Sequence, residues 1–224
     1  MQVTTEVDGD VALITMDDGK KNAITPEVYA DLNAAFDRAE SEAKAVVLAG
    51  REGAFCAGFD LATMTSGDVE AILEIARGGA EFALRLWSFP KPLVTACTGH
   101  AFTIGAIWLS CGDTRIGDRG PFKIGMNETR MGMTFTPWAL APLEYRLSRQ
   151  HWIKSIVQAH VYDPDGALEA GFLDEVVDDG QAVARALDVA GELAQLPAKA
   201  YATTKIMTRA ESIEVMRSDI ATMG

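Results

Sequence analysis

The sequence is poor in positive charge. Its 224 residues hold 20 Lys and Arg against 32 Asp and Glu, a net charge of −12. That balance argues against general affinity for DNA, RNA or an anionic membrane, whose phosphates call for a basic surface. A small basic pocket is still allowed, and Lys20, Lys21, Arg51 and Lys205 are candidates for it. Cysteine is also scarce. Cys56, Cys97 and Cys111 each sit among apolar or small residues, without a CxxC pair or a histidine cluster. No metal site is expected, and three free thiols fit a reducing compartment. The three histidines, His100, His151 and His160, are scattered and read as structural, and no Ser-His-Asp order stands out. The glycines form neither GxGxxG nor a P-loop, so the common nucleotide-phosphate motifs are missing. No apolar run reaches the ~18 residues of a membrane-spanning helix. The opening "MQVTTEVDGDVALITM" lacks the basic-then-apolar pattern of a secretory signal. The expectation is a cytoplasmic protein.

What is present suits one large core, with 48% apolar and 23% charged residues. "VALITM" (Val11–Met16) reads as a strand between turns. Thr25-Pro26-Glu27 opens a helix, with Thr as N-cap and Pro at the first helical position. Val28, Leu32, Ala35, Phe36 and Ala39 form its apolar face. "KAVVLAG" (Lys44–Gly50) is an unbroken apolar run, as expected of a strand covered on both faces. A helix follows from about Asp68 to Trp87, then a strand at Leu93–Cys97, then Thr103–Cys111, a helix with no polar face and hence buried. "DTRIG" is a candidate short strand. Strand, crossover helix, strand thus recurs three times, which means α/β architecture with parallel strands. Past Asp163 the pattern reads as helical to the end: "DPDGALEAGFLDEVV", Gln181–Leu196 and Ala198–Arg217. The last segment looks like an appendage.

Two segments are odd for connections. "AFCAGFDLATM" (Ala54–Met64) is small and apolar as far as Gly58, which lets a ligand meet backbone N–H groups unobstructed. "GHAFTIG" (Gly99–Gly105) leads into the apolar helix, whose first turn offers unpaired N–H donors and a positive dipole end. Two such loops after neighbouring parallel strands can aim two N–H groups at one point, an oxyanion hole. Each loop alone is equally consistent with a plain structural turn.

"DDGKKNAIT", "AVVLAG…AFCAGFDL", "PKPLVTACTGHAFTIGAIWLSCGDTRI" and "KIGMNETRMGM", in this order and spacing, resemble the crotonase family. Its best-known members are enoyl-CoA hydratases and enoyl-CoA isomerases. The likeness covers roughly residues 3–180. It implies a spiral of ββα repeats with a helical C-terminal region, an acyl-CoA thioester substrate with no separate cofactor, and a homotrimer or dimer of trimers. The C-terminal region is short for the family. On this reading residues 1–190 are the spiral core and 191–224 a helical oligomerisation segment.

The resemblance also assigns residues. The family's "AGxD" stands here as Ala57-Gly58-Phe59-Asp60, which makes Phe59 the first oxyanion N–H donor. The family's "GGG" falls on Thr103-Ile104-Gly105, which makes Ile104 the second. Hydratases of the family use two Glu. The place of one is taken by Ile107. The other falls on Glu128 if one extra residue is allowed after Asp113, the alternative register giving Asn127. The Gly-x-x-Glu spacing before Met-Gly-Met selects Glu128. For the CoA end the resemblance points to Lys20, Lys21 and Ala23, to Ala57, Asp60 and Leu61, and, by family position, to Lys205 as reaching a neighbouring subunit's CoA. Met133, Phe135, Trp138 and Leu140 stand where a Gly-rich loop is common in the family, as acyl-pocket lining or as core. Glu144 is a conceivable second acid, but it falls in a helical pattern.

One carboxylate is badly equipped to add water across a double bond. It suffices to take a proton from one carbon and return it to another. The single-Glu pattern therefore resembles the family's enoyl-CoA isomerases. A 2-enoyl-CoA hydratase and a non-catalytic CoA-binding or assembly subunit are the alternatives.

Overall fold

A computed structural model describes residues 2–223. The chain opens with an antiparallel pair, β1 (Gln2–Asp8) and β2 (Val11–Asp17). A two-residue β3 (Ala23–Ile24) leads to α1 (Val28–Glu42), which buries Val28, Leu32, Ala35, Phe36 and Ala39, the face expected from their spacing. The helix starts later than the Thr25 cap suggests. Thr25 and Pro26 form a preceding turn whose carbonyls accept the N–H groups of Val28 and Tyr29. Next come β4 (Ala45–Ala49), β5 (Gly53–Cys56), β6 (Gly58–Phe59), the single-turn α2 (Leu61–Met64) and α3 (Val69–Trp87). Asp68 caps α3 by accepting from the Glu70 and Ala71 amides. Then follow β7 (Leu93–Cys97), β8 (Gly99–Phe102), α4 (Ile104–Cys111), β9 (Thr114–Asp118) and β10 (Ile124–Gly125).

The principal sheet has the order β1-β2-β4-β7-β9, parallel from β2 onward. Its middle strands are buried on both faces for a simple reason. Val46 and Leu48 of β4 face the main core, while Ala45, Val47 and Ala49 face a second apolar layer. After each of β4, β7 and β9 the chain adds a short strand to a second sheet, where β10, β8 and β5 are neighbours. The periodicity shows the long strands and crossover helices. It does not show β5, β8 and β10, which are two to four residues long and glycine-containing. These short strands carry the two unusual loops, so the repeat is strand, strand, helix.

The remainder is α5 (Pro137–Arg146), α6 (Arg149–Ile156), β11 (Val161–Tyr162) beside β10, α7 (Pro164–Ala170), β12 (Glu175–Val177), α8 (Ala182–Leu193) and α9 (Ala198–Ile220). Here the helical reading of "DPDGALEAGFLDEVV" needs correction. Gly171, at φ +98°, ends α7 in a left-handed cap, and the β-branched "EVV" becomes the edge strand β12 beside β9. Ala182, Ala186 and Ala190 of α8 cover the back of the sheet.

Helix α9 is packed into the main core through Ile213, Met216 and Ile220. It also closes a buried ion cluster. Asp113 accepts from Lys205 Nζ (2.7 Å), Arg209 Nη2 (2.7 Å), Tyr201 Oη (2.9 Å) and the Leu93 amide (2.9 Å). The positive excess has a structural outlet. Arg209 donates to the Trp87 carbonyl at the end of α3, and Arg146 to the Ser110 and Gly112 carbonyls at the end of α4. Cations belong at those negative dipole ends. Among the described residues no helix is long and apolar enough to cross a membrane.

Candidate active site

The two unusual loops meet at one cavity of about 420 Å3. The first loop is held from below by Asn22. This buried residue has a left-handed backbone (φ 54°), and its Nδ2 donates to the Met16, Ala54 and Phe55 carbonyls at 2.8–3.1 Å. The Ala57 amide then donates to the Lys21 carbonyl (3.0 Å) and the Asp60 amide to the Ile24 carbonyl (2.8 Å), as β6 lies parallel to β3. Neighbouring N–H groups along a strand alternate, so with the Asp60 amide on β3 the adjacent Phe59 N–H is turned away from it. The Phe59 ring packs over Gly79 of α3, where a methyl group would sit 2.7 Å from it. The bulky side chain is thus packed against α3, and Phe59 lines the cavity.

The second loop crosses the first at Gly58, whose φ is +108°. A methyl group there would lie 2.4 Å from Thr103 Oγ1, so glycine is required by backbone conformation and by space together. Thr103 is itself left-handed, at φ 51°. Ile104 escapes this strain. It is the first residue of α4, and its N–H has no acceptor in the protein, as at any helix start. Gly105 lets α4 approach the Cys56 carbonyl, 2.3 Å from where its methyl would be.

Glu128 reaches the same cavity from β10. The Thr103 amide donates to the Gly125 carbonyl (3.2 Å), tying that strand to the top of α4. Glu128 opens a tight turn, and its carbonyl accepts from the Met131 and Met133 amides at 2.9 Å each. Its carboxyl Oε2 is sealed from solvent and has no protein partner. Burial pushes the Glu128 pKa up to about 7, opposed only weakly by the backbone N–H groups of Glu128 and Asn127. Among the described residues no other ionisable side chain lines the cavity. Its walls are Leu61, Met64, Ile107, Met131, Met133, Phe135 and Trp138. Such a site can move a proton within an apolar enclosure.

The structure therefore brings Glu128, Phe59, Ile104, Ala57 and Leu61 together, with Ile107 opposite them. Lys20, Lys21 and Ala23 lie beside this rim, on the loop bonded to Ala57, with both lysine side chains exposed. The Asp60 carboxylate caps α2 by accepting from the Thr63 amide (2.8 Å). Lys205 lies away from this cavity, with its ammonium bonded to Asp113 and the Lys91 carbonyl, and takes no part in this chain's own site. Met133, Phe135 and Trp138 line the cavity, whereas Leu140 and Glu144 border a different groove. His100 accepts from the Lys123 amide, and His151 bonds Tyr162; neither they nor His160 reach the cavity. Sequence reasoning missed Asn22, whose left-handed backbone and three carbonyl partners exist only in the fold.

Comparison with known proteins agrees with this geometry. Residues 6–221 match the family model described as enoyl-CoA hydratase/isomerase. The human mitochondrial protein named enoyl-CoA delta isomerase 1 is 25% identical over 211 residues, covering 92% of this chain and 70% of its own. The Mycobacterium tuberculosis protein named probable enoyl-CoA hydratase EchA14 is 30% identical over 219 residues, covering 93% and 81%. A crystal structure of the M. tuberculosis probable enoyl-CoA hydratase EchA3 superposes with a TM-score of 0.94 at 40% identity, covering 98% of this chain and 93% of that one. With the match running through both loops and the Glu128 turn, the chain belongs to the enoyl-CoA hydratase/isomerase family, and its fold is the crotonase fold.

Proposed function

We propose that the protein is an enoyl-CoA isomerase that shifts a double bond in an unsaturated acyl-CoA. The observation that carries this reading is the single carboxylate. Glu128 is the one ionisable group on the cavity, and Ile107 occupies the place of a second acid. The Phe59 and Ile104 N–H groups hold the thioester oxygen. Glu128, ionised, takes a proton from the carbon between the thioester carbonyl and the double bond. The electron pair moves into a dienolate whose oxygen the two N–H groups stabilise. Glu128 then returns the proton to the far end of the old double bond, which leaves the new one conjugated with the carbonyl. A carboxyl with a pKa near neutrality serves both steps. The adenosine and phosphate end lies along the rim formed by Lys20, Lys21, Ala23, Asp60 and Leu61, and the acyl chain lies among the methionines. CoA enters as part of the substrate, and no separate cofactor takes part.

The names of the relatives divide between this reading and a second, hydration of 2-enoyl-CoA. A paired assay separates the two. Purified wild type and Glu128→Gln are offered 3-enoyl-CoA, followed by growth of the conjugated thioester, and 2-enoyl-CoA, followed by its loss. Conjugation in the wild type alone is the expected result. Hydration without conjugation would replace the isomerase with the hydratase. Turnover of neither, with CoA still bound, would point to a binding subunit.

A further inference from the structure

Among the described residues, four buried side-chain polar atoms have no hydrogen-bond partner; Arg51 Nε is ion-paired to Asp17, and the other three belong to residues that line the Glu128 cavity. They are Glu128 Oε2, Asn127 Oδ1 and Trp138 Nε1. The proton shuttle explains the first. The indole is the one donor of the three. A buried tryptophan normally finds an acceptor for its N–H. The other fully buried indoles do: Trp87 donates to Ser212 Oγ (2.8 Å) and Trp108 to the Gly79 carbonyl (3.2 Å). Trp138 is otherwise well fixed, at the start of α5, with its backbone amide bonded to Asp219 Oδ2 (2.9 Å).

We propose that Trp138 is a positioning residue for Glu128, its indole N–H serving the buried Oε2 oxygen when the carboxylate is ionised. Of the two unpaired acceptors on the cavity, an ionised carboxylate attracts the N–H more strongly than the neutral Asn127 amide. One oxygen is then held by the indole, and the other is free to take and return the substrate proton. The coupling is selective for the charged form, because no basic or second acidic side chain lines the cavity to compete for it. The inference rests on Glu128 as proton carrier, but it can be tested without turnover.

The first test is the indole 15N–1H resonance of Trp138 in the intact protein, followed from pH 5 to 9. It is assigned by its loss in Trp138→Phe. The expected result is a downfield movement as Glu128 ionises, missing in Glu128→Gln. A resonance that stays put, or that moves equally in Glu128→Gln, overturns the proposal. The second test is the pH profile of kcat on 3-enoyl-CoA. Losing a donor to the charged form raises the apparent pKa, so in Trp138→Phe the acidic limb moves up by about one pH unit. Turnover then falls about fivefold at pH 7 and recovers by pH 9, with KM nearly unchanged. A loss that is equal at every pH would mark a packing role and overturn the proposal. Should Trp138→Phe fail to fold, benzothienylalanine at position 138 keeps the ring shape without the N–H. An indole response in a protein that does not turn over 3-enoyl-CoA would sink the isomerase reading and leave the coupling standing.

Discussion

Replacing Glu128 by Gln is expected to change activity and stability in opposite directions. Burial raises the folded-state pKa from 4.5 to about 7, so folding favours the protonated carboxyl. Its contribution is fully present below about pH 4.5 and is lost as the pH rises through about 7. Each pH unit of difference is worth about 1.4 kcal/mol, so above pH 7 the ionised Glu128 costs the native state about 3 kcal/mol. Glutamine has nearly the same shape and no charge to bury. In urea unfolding monitored by tryptophan fluorescence, Glu128→Gln is expected to be more stable than wild type by about 3 kcal/mol at pH 8 and about 1 kcal/mol at pH 5. The same variant should lose nearly all isomerisation. In the wild type, kcat/KM should rise about tenfold per pH unit below pH 7 and level off above it, because only the ionised form takes a proton. A variant no more stable than wild type at pH 8 would show that the carboxyl is well solvated or held by a cationic partner. The argument for a single tuned base would then fail.

Gly58→Ala forces a methyl group toward Thr103 Oγ1 at a φ of +108°, and should cost about 2 kcal/mol or more together with most activity. The melting temperature and the conjugation assay read both. Thr103→Gly removes both the hydroxyl and a left-handed threonine, and should raise stability by about 1 kcal/mol, as denaturant unfolding will show. Lys205→Met strips Asp113 of one buried partner and should cost about 3 kcal/mol, while kcat on 3-enoyl-CoA stays within about twofold. A large change in KM for the CoA thioester would mark Lys205 as a CoA ligand. Ile107→Glu supplies the missing second acid. Hydration of 2-enoyl-CoA should appear in this variant or increase, at a stability cost of about 2 kcal/mol for the new buried carboxyl.

The order of the long elements was legible because it rests on local rules. A strand covered on both faces needs an unbroken apolar run, as in Val46–Leu48, and a helix that packs on a sheet needs the stripe seen from Val28 to Ala39. Gly171 and the "EVV" that follows carried a signal for a cap and a strand, but the apolar run around them masked it. The short strands β5, β8 and β10 had no usable period, and their pairing comes from partners more than twenty residues away. Motif order identified Phe59, Ile104 and Glu128 as a set, and residue type identified Ile107 as the gap where a second acid would stand.

Composition, periodicity and motif order thus determined the α/β class, the family and the candidate carboxylate, Glu128. The fold alone decided the rest, because burial and proximity are not properties of a residue. It raised the Glu128 pKa by surrounding the carboxyl with apolar walls, and it turned the Phe59 ring onto Gly79 of α3. It also locked Lys205 to Asp113 in the core and left the Trp138 indole without a partner inside the cavity.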